Sequence, residues 1–196
     1  MDPLRARQLL LCAAGGYQAY ILPGFVLALL QHVADDVQVV LSRAAAQLVS
    51  KYAVEVASRH EVYVELDQSG PATFVPHIEL PRRADLVLVY PATVNIVGKV
   101  ANGIADELIS ALILATDKPV IFVPVANELM WRKPAVARNL ERLAADGYVV
   151  LPPQPNIEVA TREGLDTVTF PLPTLLARLR GVLRGAAEGV AGPGAP

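Results

Sequence analysis

Short, strongly apolar runs alternate along this chain with stretches of helical spacing, and that alternation constrains the fold more than any other feature. The runs over 8–13, 37–41, 62–66, 85–90, 119–123 and 148–151 are mostly β-branched or leucine-rich. Buried parallel strands have this composition. Helical patterns lie between them over 17–33, 43–58, 105–115 and 134–146. The order predicts an α/β fold, a Rossmann-like (flavodoxin-like) three-layer sandwich around a central parallel sheet.

Two segments break the rhythm. Residues 67–81 form a Gly- and Pro-rich loop that carries His77, and 152–173 is a long connection with Pro152, Pro153 and Pro155. Connections of this length inside a compact domain serve as lids or binding loops, or are disordered; 152–173 is expected to be a substrate clamp. A last helix over 174–188 precedes the tail GVAGPGAP, 189–196, expected to be disordered. With 196 residues and no internal repeat, a single domain over 1–188 is expected, large enough to bury a core without disulfides or a structural metal.

Apolar residues make up 53% of the chain and charged ones only 18%, more apolar surface than one subunit can cover, so a homo-oligomer is expected. The formal net charge is −2 and no polybasic run occurs, which argues against nucleic-acid and membrane-surface partners. Cys12 is the single cysteine, so no intrachain disulfide can form. The apolar run at 9–14 is too short for a signal peptide and suits a first strand. The next helix, interrupted by Pro23-Gly24, is too polar at its ends to span a bilayer. A cytoplasmic location is the plain expectation.

Polar groups at the carboxyl ends of parallel strands are where open α/β sheets build ligand sites, and the stretch 91–131 is rich in them. Asn95 and Asn127 each follow a strand and a Pro-initiated turn, where an asparagine is either a cap or turn former or, with both facing one crevice, a partner for a carboxylate or heteroaromatic ring. Asn102-Gly103 reads as an ordinary turn, or as a close-approach glycine before an acidic helix start at Asp106. Met130-Trp131 fits a core or a pocket equally well. Upstream, Gly15-Gly16 between the first strand and its helix suits either a plain turn or a phosphate turn, and Ser42 either a helix cap or a phosphate ligand. The dinucleotide fingerprint G-x-G-x-x-G is absent, which removes support for a nicotinamide cofactor. His77 alone reads first as a hydrogen-bonded loop histidine, and His32 and His60 look structural. No metal site is expected.

The segment PATVNIVGKVANGIADELISALILATDKPVIFVP followed by VANELMW, with His77-Ile78-Glu79-Leu80 upstream, resembles the flavin-containing cysteine decarboxylases. That family includes the phosphopantothenoylcysteine decarboxylases of coenzyme A synthesis and the peptidyl-cysteine decarboxylases of lanthipeptide, linaridin and thioamitide pathways. The resemblance covers roughly 8–151 and implies His77 as the active-site histidine. Thr93 and Asn95 fall in the PASANT-type motif, and Asn102, Gly103 and Asp106 on ANG-x-x-D, whose glycine the family needs for flavin. Asn127, Met130 and Trp131 fall on P-x-M-N-x-x-M-W, which holds the cysteine carboxylate, while Gly15, Gly16 and Ser42 fall at the flavin phosphate site. Two positions depart: Ala126 replaces the first methionine of the last motif, and Gly16 replaces a frequent hydroxyl residue, so phosphate contacts would rest on backbone N–H groups and Ser42. FMN is the implied cofactor, with FAD the alternative.

Within the family, the coenzyme A branch uses a cysteine in the flap after the last strand to return its product to a saturated thiol. Residues 152–173 contain no cysteine. The resemblance therefore implies an oxidative decarboxylase that converts a C-terminal peptidyl cysteine to an aminoenethiol, in trimer units or a dodecamer with the flavin at a subunit interface. Phosphopantothenoylcysteine decarboxylase and a non-catalytic flavin-binding regulator are the alternatives.

Overall fold

The computed structural model describes residues 5–66, 74–151, 156–157, 164–165 and 172–187. The chain runs β1 (Ala6–Ala13), α1 (Leu22–His32), β2 (Ala34–Leu41), α2 (Lys51–Ser58), α3 (Pro76–Arg83) and β3 (Leu86–Thr93). It continues through α4 (Val94–Ala101), α5 (Leu108–Leu114), β4 (Val120–Val125), α6 (Glu128–Trp131), α7 (Pro134–Ala145) and β5 (Val149–Val150). A two-residue pairing of β6 (Asn156–Ile157) with β7 (Gly164–Leu165) is antiparallel, and α8 (Leu172–Ala187) follows.

Strands β1 to β5 form one parallel sheet in the order β2-β1-β3-β4-β5. This is the expected doubly wound, flavodoxin-like α/β arrangement, with its topological switch between β1 and β3. Alternation along β1 shows how the sheet is covered: Leu9, Leu11 and Ala13 join one core with residues of α1, α2 and α8. Leu10 and Cys12 join the other, with residues of α3, α4, α5 and α7. Each of these leucines is fully buried, stabilising the fold by about 1.5–3 kcal/mol apiece before entropy is charged.

Several expected elements differ. The helix expected over 17–33 is a 3-10 turn, Tyr17–Ile21, followed by α1. Pro23 does not interrupt it; it lies in the first turn, where a missing N–H costs no helical bond. The helix expected over 43–58 is likewise split into a 3-10 turn, Ala45–Gln47, and α2, whose Ser50 cap accepts from Ala53 N–H at 3.3 Å. The strand expected over 62–66 shrinks to one parallel bridge between Tyr63 and Val40, and Glu65, two residues on, pairs with Arg43.

Residues expected as loop also prove helical. Pro76 starts α3 as a first-turn residue, so His77 is on a helix rather than in a loop, and the only internal breaker, Pro81, sits near its end. Strand β3 runs through Pro91 to Thr93 and passes straight into α4. Asn95 is therefore a helical residue, not a turn residue. Leu108 begins α5 behind an Glu107 cap, so Asp106 precedes that helix instead of starting it. Residues 67–73, most of 152–173 and the tail 189–196 lie outside the described residues, although 172–173 belong to α8 and 156–157 pair with 164–165.

Candidate functional site

The carboxyl ends of β1, β2 and β3 are tied together at the switch point. Ala14 N–H donates to Pro91 O at 3.0 Å, and Ser42 N–H donates to Ala13 O at 2.9 Å. Gly15 then passes so close to the next strand end that an added Cβ would lie 2.4 Å from Ala44 Cβ. Gly16 is as constrained on its other side, where a Cβ would lie 2.9 Å from Val125 Cγ2 and 3.0 Å from Pro91 Cβ. The two glycines are thus close-approach residues, and both have negative or ordinary backbone geometry rather than a left-handed one.

Above these strand ends opens a cavity of 820 Å³, within the range of about 300–1,000 Å³ usual for cofactor and small-molecule sites. One wall is Gly15, Ser42, Arg43 and Ala44. A second is Thr93 to Ile96, the point where β3 becomes α4. Thr93 makes no side-chain capping bond, and the first turn of α4, the positive end of that helix, lines the cavity. Lys99, Asp106, Glu107 and Leu108 form a third side, Val64 to Leu66 a fourth, and Met130 reaches in from α6.

The polar wall is internally organised. Lys99 Nζ lies 2.7 Å from Glu107 Oε1 and 2.9 Å from Asp106 Oδ1. The hydrogen bond to Glu107, then that to Asp106, raises the Lys99 ammonium above its ordinary value, and Lys99 in turn holds the Asp106 carboxyl below the usual carboxylate range. Glu107 also closes a capping box with Ser110 at the start of α5. Ser42 Oγ accepts from Ala45 N–H at 3.1 Å, although the N-cap position of the 3-10 turn that follows is Ala44. Arg43 lies against Glu65, and its hydrogen bond keeps that carboxyl low.

Of the residues singled out in the sequence, Gly15, Ser42, Thr93, Asn95, Asp106 and Met130 meet on this cavity. Gly16, His77, Asn102, Gly103, Ala126, Asn127 and Trp131 do not line it. Asn102 and Gly103 close α4: Gly103 has φ +67°, its N–H donates to Val100 O, and Ile104 N–H donates to Lys99 O. That is a Schellman cap. Asn102 turns to α7, with Nδ2 donating to Gly98 O and lying 3.4 Å from Asn139 Oδ1. Asn127 caps α6 by accepting from Met130 N–H at 2.8 Å, which fixes where Met130 enters the cavity. His77, on α3, has a buried Nδ1 with no hydrogen-bond partner, and buried polar atoms of that kind ask for a functional reason.

Sequence reasoning missed Arg43, Glu65, Lys99 and Glu107. Arg43 directly follows Ser42, and Lys99 precedes the Asp106-Glu107 pair by two helical turns of chain, so charge patterning around the motif was the available signal. Cys12 is buried in β1 and burial pushes its thiol up, so it belongs to the core. Among the described residues no cluster of three or more His, Cys, Asp or Glu could hold a metal, and no helix is long and apolar enough to cross a membrane.

Comparison with known proteins gives the site a context. The family model described as Flavoprotein matches residues 2–169. Over 150 residues the chain is 38% identical to the coenzyme A biosynthesis bifunctional protein CoaBC of Bacillus subtilis (strain 168), covering 76% of this chain and 37% of that protein. Over 118 residues it is 38% identical to the mersacidin decarboxylase of Bacillus sp. (strain HIL-Y85/54728), covering 60% of this chain and 59% of that one. The matches thus span less than two thirds of either relative. The crystal structure of the FMN-dependent cysteine decarboxylase SpaF is similar over 94% of this chain and 99% of that one, with a TM-score of 0.79 and 28% identity.

Proposed function

The chain belongs to the Flavoprotein family, and from that premise we propose that it is a flavin-dependent oxidative decarboxylase acting on the C-terminal cysteine of a peptide. The observation that carries this reading is the convergence of Gly15, Ser42, Thr93, Asn95 and Met130 on one cavity at the sheet's switch point. FMN is the favoured cofactor and FAD the alternative. The uncapped α4 N-terminus and the Ser42–Ala44 corner suit a ligand with an anionic end, and Asn95, whose side-chain amide makes no hydrogen bond among the described residues, suits a polar ring.

The chemistry supplied when flavin is bound is removal of hydride from the β-carbon of a cysteine thiolate, after which the carboxylate stands β to a C=S bond and leaves as carbon dioxide. Asn127 spends its Oδ1 on Met130 N–H, which leaves its Nδ2–H groups to hold the substrate carboxylate. His77 takes and holds the thiol proton. Met130 and Trp131 cover the substrate, and Ala126 leaves room beside it.

Product type follows from what the chain cannot reprotonate. Its single cysteine, Cys12, is buried in β1, so no thiol is at hand to return the product to a saturated state, and an aminoenethiol is released. The second reading, decarboxylation of phosphopantothenoylcysteine, is favoured by the longer match to the coenzyme A protein; a non-catalytic flavin-binding role is opposed by the presence of both His77 and Asn127.

His77 and Asn127 lie off the cavity of their own chain, so the proposed site is completed by a neighbouring subunit in a homo-oligomer, of trimer units or a dodecamer. Exposed apolar residues support such assembly: on α1, α2 and the turn before α1, Tyr20, Leu27, Tyr52 and Val56 are each more than half exposed. Anaerobic mixing of the flavin-loaded protein with a peptide ending in cysteine tests the oxidative reading. Bleaching of the oxidised flavin spectrum by that peptide, and not by the same peptide ending in serine, is expected; an unchanged spectrum contradicts it.

A further inference from the structure

The cavity wall carries Arg43 and Lys99 as its cations against the carboxylates Glu65, Asp106 and Glu107, a formal charge of −1. A phosphate entering it is repelled on balance, so local pairing decides where it can sit. Lys99 is committed to two carboxylates, and its surroundings are net negative. Arg43 differs. It follows Ser42 in the corner where Gly15 meets Ala44, and its Nε lies 2.7 Å from both oxygens of Glu65. The Arg43 and Glu65 side chains are 80% and 37% exposed, and exposed pairs add little to stability. A pair that contributes little to the fold, yet stands on the cavity wall beside its anion-seeking corner, is placed to act on a ligand.

We propose that the Arg43–Glu65 pair sets the preference of this site for phosphorylated over unphosphorylated flavin, with Arg43 cancelling a carboxylate that would otherwise face the phosphate. This deepens the flavin reading above and rests on it. Arg43 then matters to binding for two reasons that act together. It attracts the phosphate directly, and it keeps Glu65 from repelling it. Removing Arg43 exposes the phosphate to an unpaired carboxylate, whereas removing the Glu65 charge takes away the repelling group and leaves Arg43 in place.

Separate titrations of FMN and riboflavin into flavin-free full-length protein, followed by quenching of flavin fluorescence, test this. The parent should bind FMN more tightly than riboflavin. Arg43→Gln should weaken FMN about tenfold and leave riboflavin within about twofold, the loss shrinking as salt is raised. Glu65→Gln should bind FMN as tightly as the parent or more tightly, and the double variant should recover most of the loss. Equal weakening of FMN and riboflavin in Arg43→Gln, or selective weakening of FMN in Glu65→Gln, overturns the proposal and leaves the flavin reading standing. A parent that binds neither flavin overturns that reading and the proposal with it.

Discussion

Gly15 and Ala44 approach so closely that a Cβ on Gly15 would lie 2.4 Å from the Ala44 Cβ. The contact brings the ends of β1 and β2 together and forms one corner of the cavity. Gly15→Ala must push that corner apart, at about 1–3 kcal/mol for overpacking, a fall in Tm of roughly 2–4 °C per kcal/mol. Ala44→Gly removes the opposing methyl, so the double variant should regain much of the loss. Thermal unfolding of the three proteins checks this, and a Gly15→Ala variant as stable as the parent contradicts it.

Lys99 ties the end of α4 to the start of α5 through Asp106 and Glu107. Its hydrogen bond is the main cause that lowers the Asp106 carboxyl below 3.8. Because the folded value is the depressed one, the stabilisation is in place above the ordinary carboxylate value and is lost as pH falls through the folded value. Lys99→Met should return the Asp106 titration, followed by carboxyl NMR, toward its ordinary position. An unmoved titration would show that the ion pair is absent in solution.

Asn127 caps α6 through Oδ1, and its proposed hold on the substrate uses Nδ2–H instead. Aspartate caps a helix as well as asparagine does, so Asn127→Asp should keep α6, with stability within about 0.5 kcal/mol of the parent. It replaces the Nδ2–H donors with a negative oxygen, which repels a substrate carboxylate. A large rise in KM at nearly unchanged Tm is expected; an unchanged KM would remove Asn127 from substrate binding.

His77 is proposed to move the thiol proton, and loss of a positioned acid–base group costs about 10²–10⁴-fold in rate. His77→Asn should keep its flavin and lose activity on that scale. Since His77 lies off the cavity of its own chain, activity should also follow assembly: on size-exclusion chromatography it should elute with the oligomer. Full activity in His77→Asn, or an active flavin-loaded monomer, contradicts this account.

The sheet was legible because buried parallel strands leave apolar runs that few other structures produce; every strand of the main sheet overlaps an expected one. Helix boundaries were harder to read, for local reasons. The Gly- and Pro-rich stretch around Pro76 reads as loop and Pro23 as an interruption, although a first-turn proline loses no bond. Helix α4 hid behind the motif asparagine, while Ile96, Val97, Val100 and Ala101 already carried the helical period. In the site, motif residues such as Ser42 and Asn95 were identified, whereas Arg43 and Lys99 were not. Their importance comes from partners distant in sequence, Glu65 and Asp106-Glu107, which only the fold brings together.

The central claim is oxidative decarboxylation without a returning thiol, and mass spectrometry of a cysteine-terminated peptide after incubation with the flavin-loaded protein tests it most directly. Cys12→Ala, which alters only the core, serves as the control. Both proteins should yield a peptide that has lost carbon dioxide together with two hydrogens. Loss of carbon dioxide alone, or a product that changes with Cys12→Ala, contradicts the account.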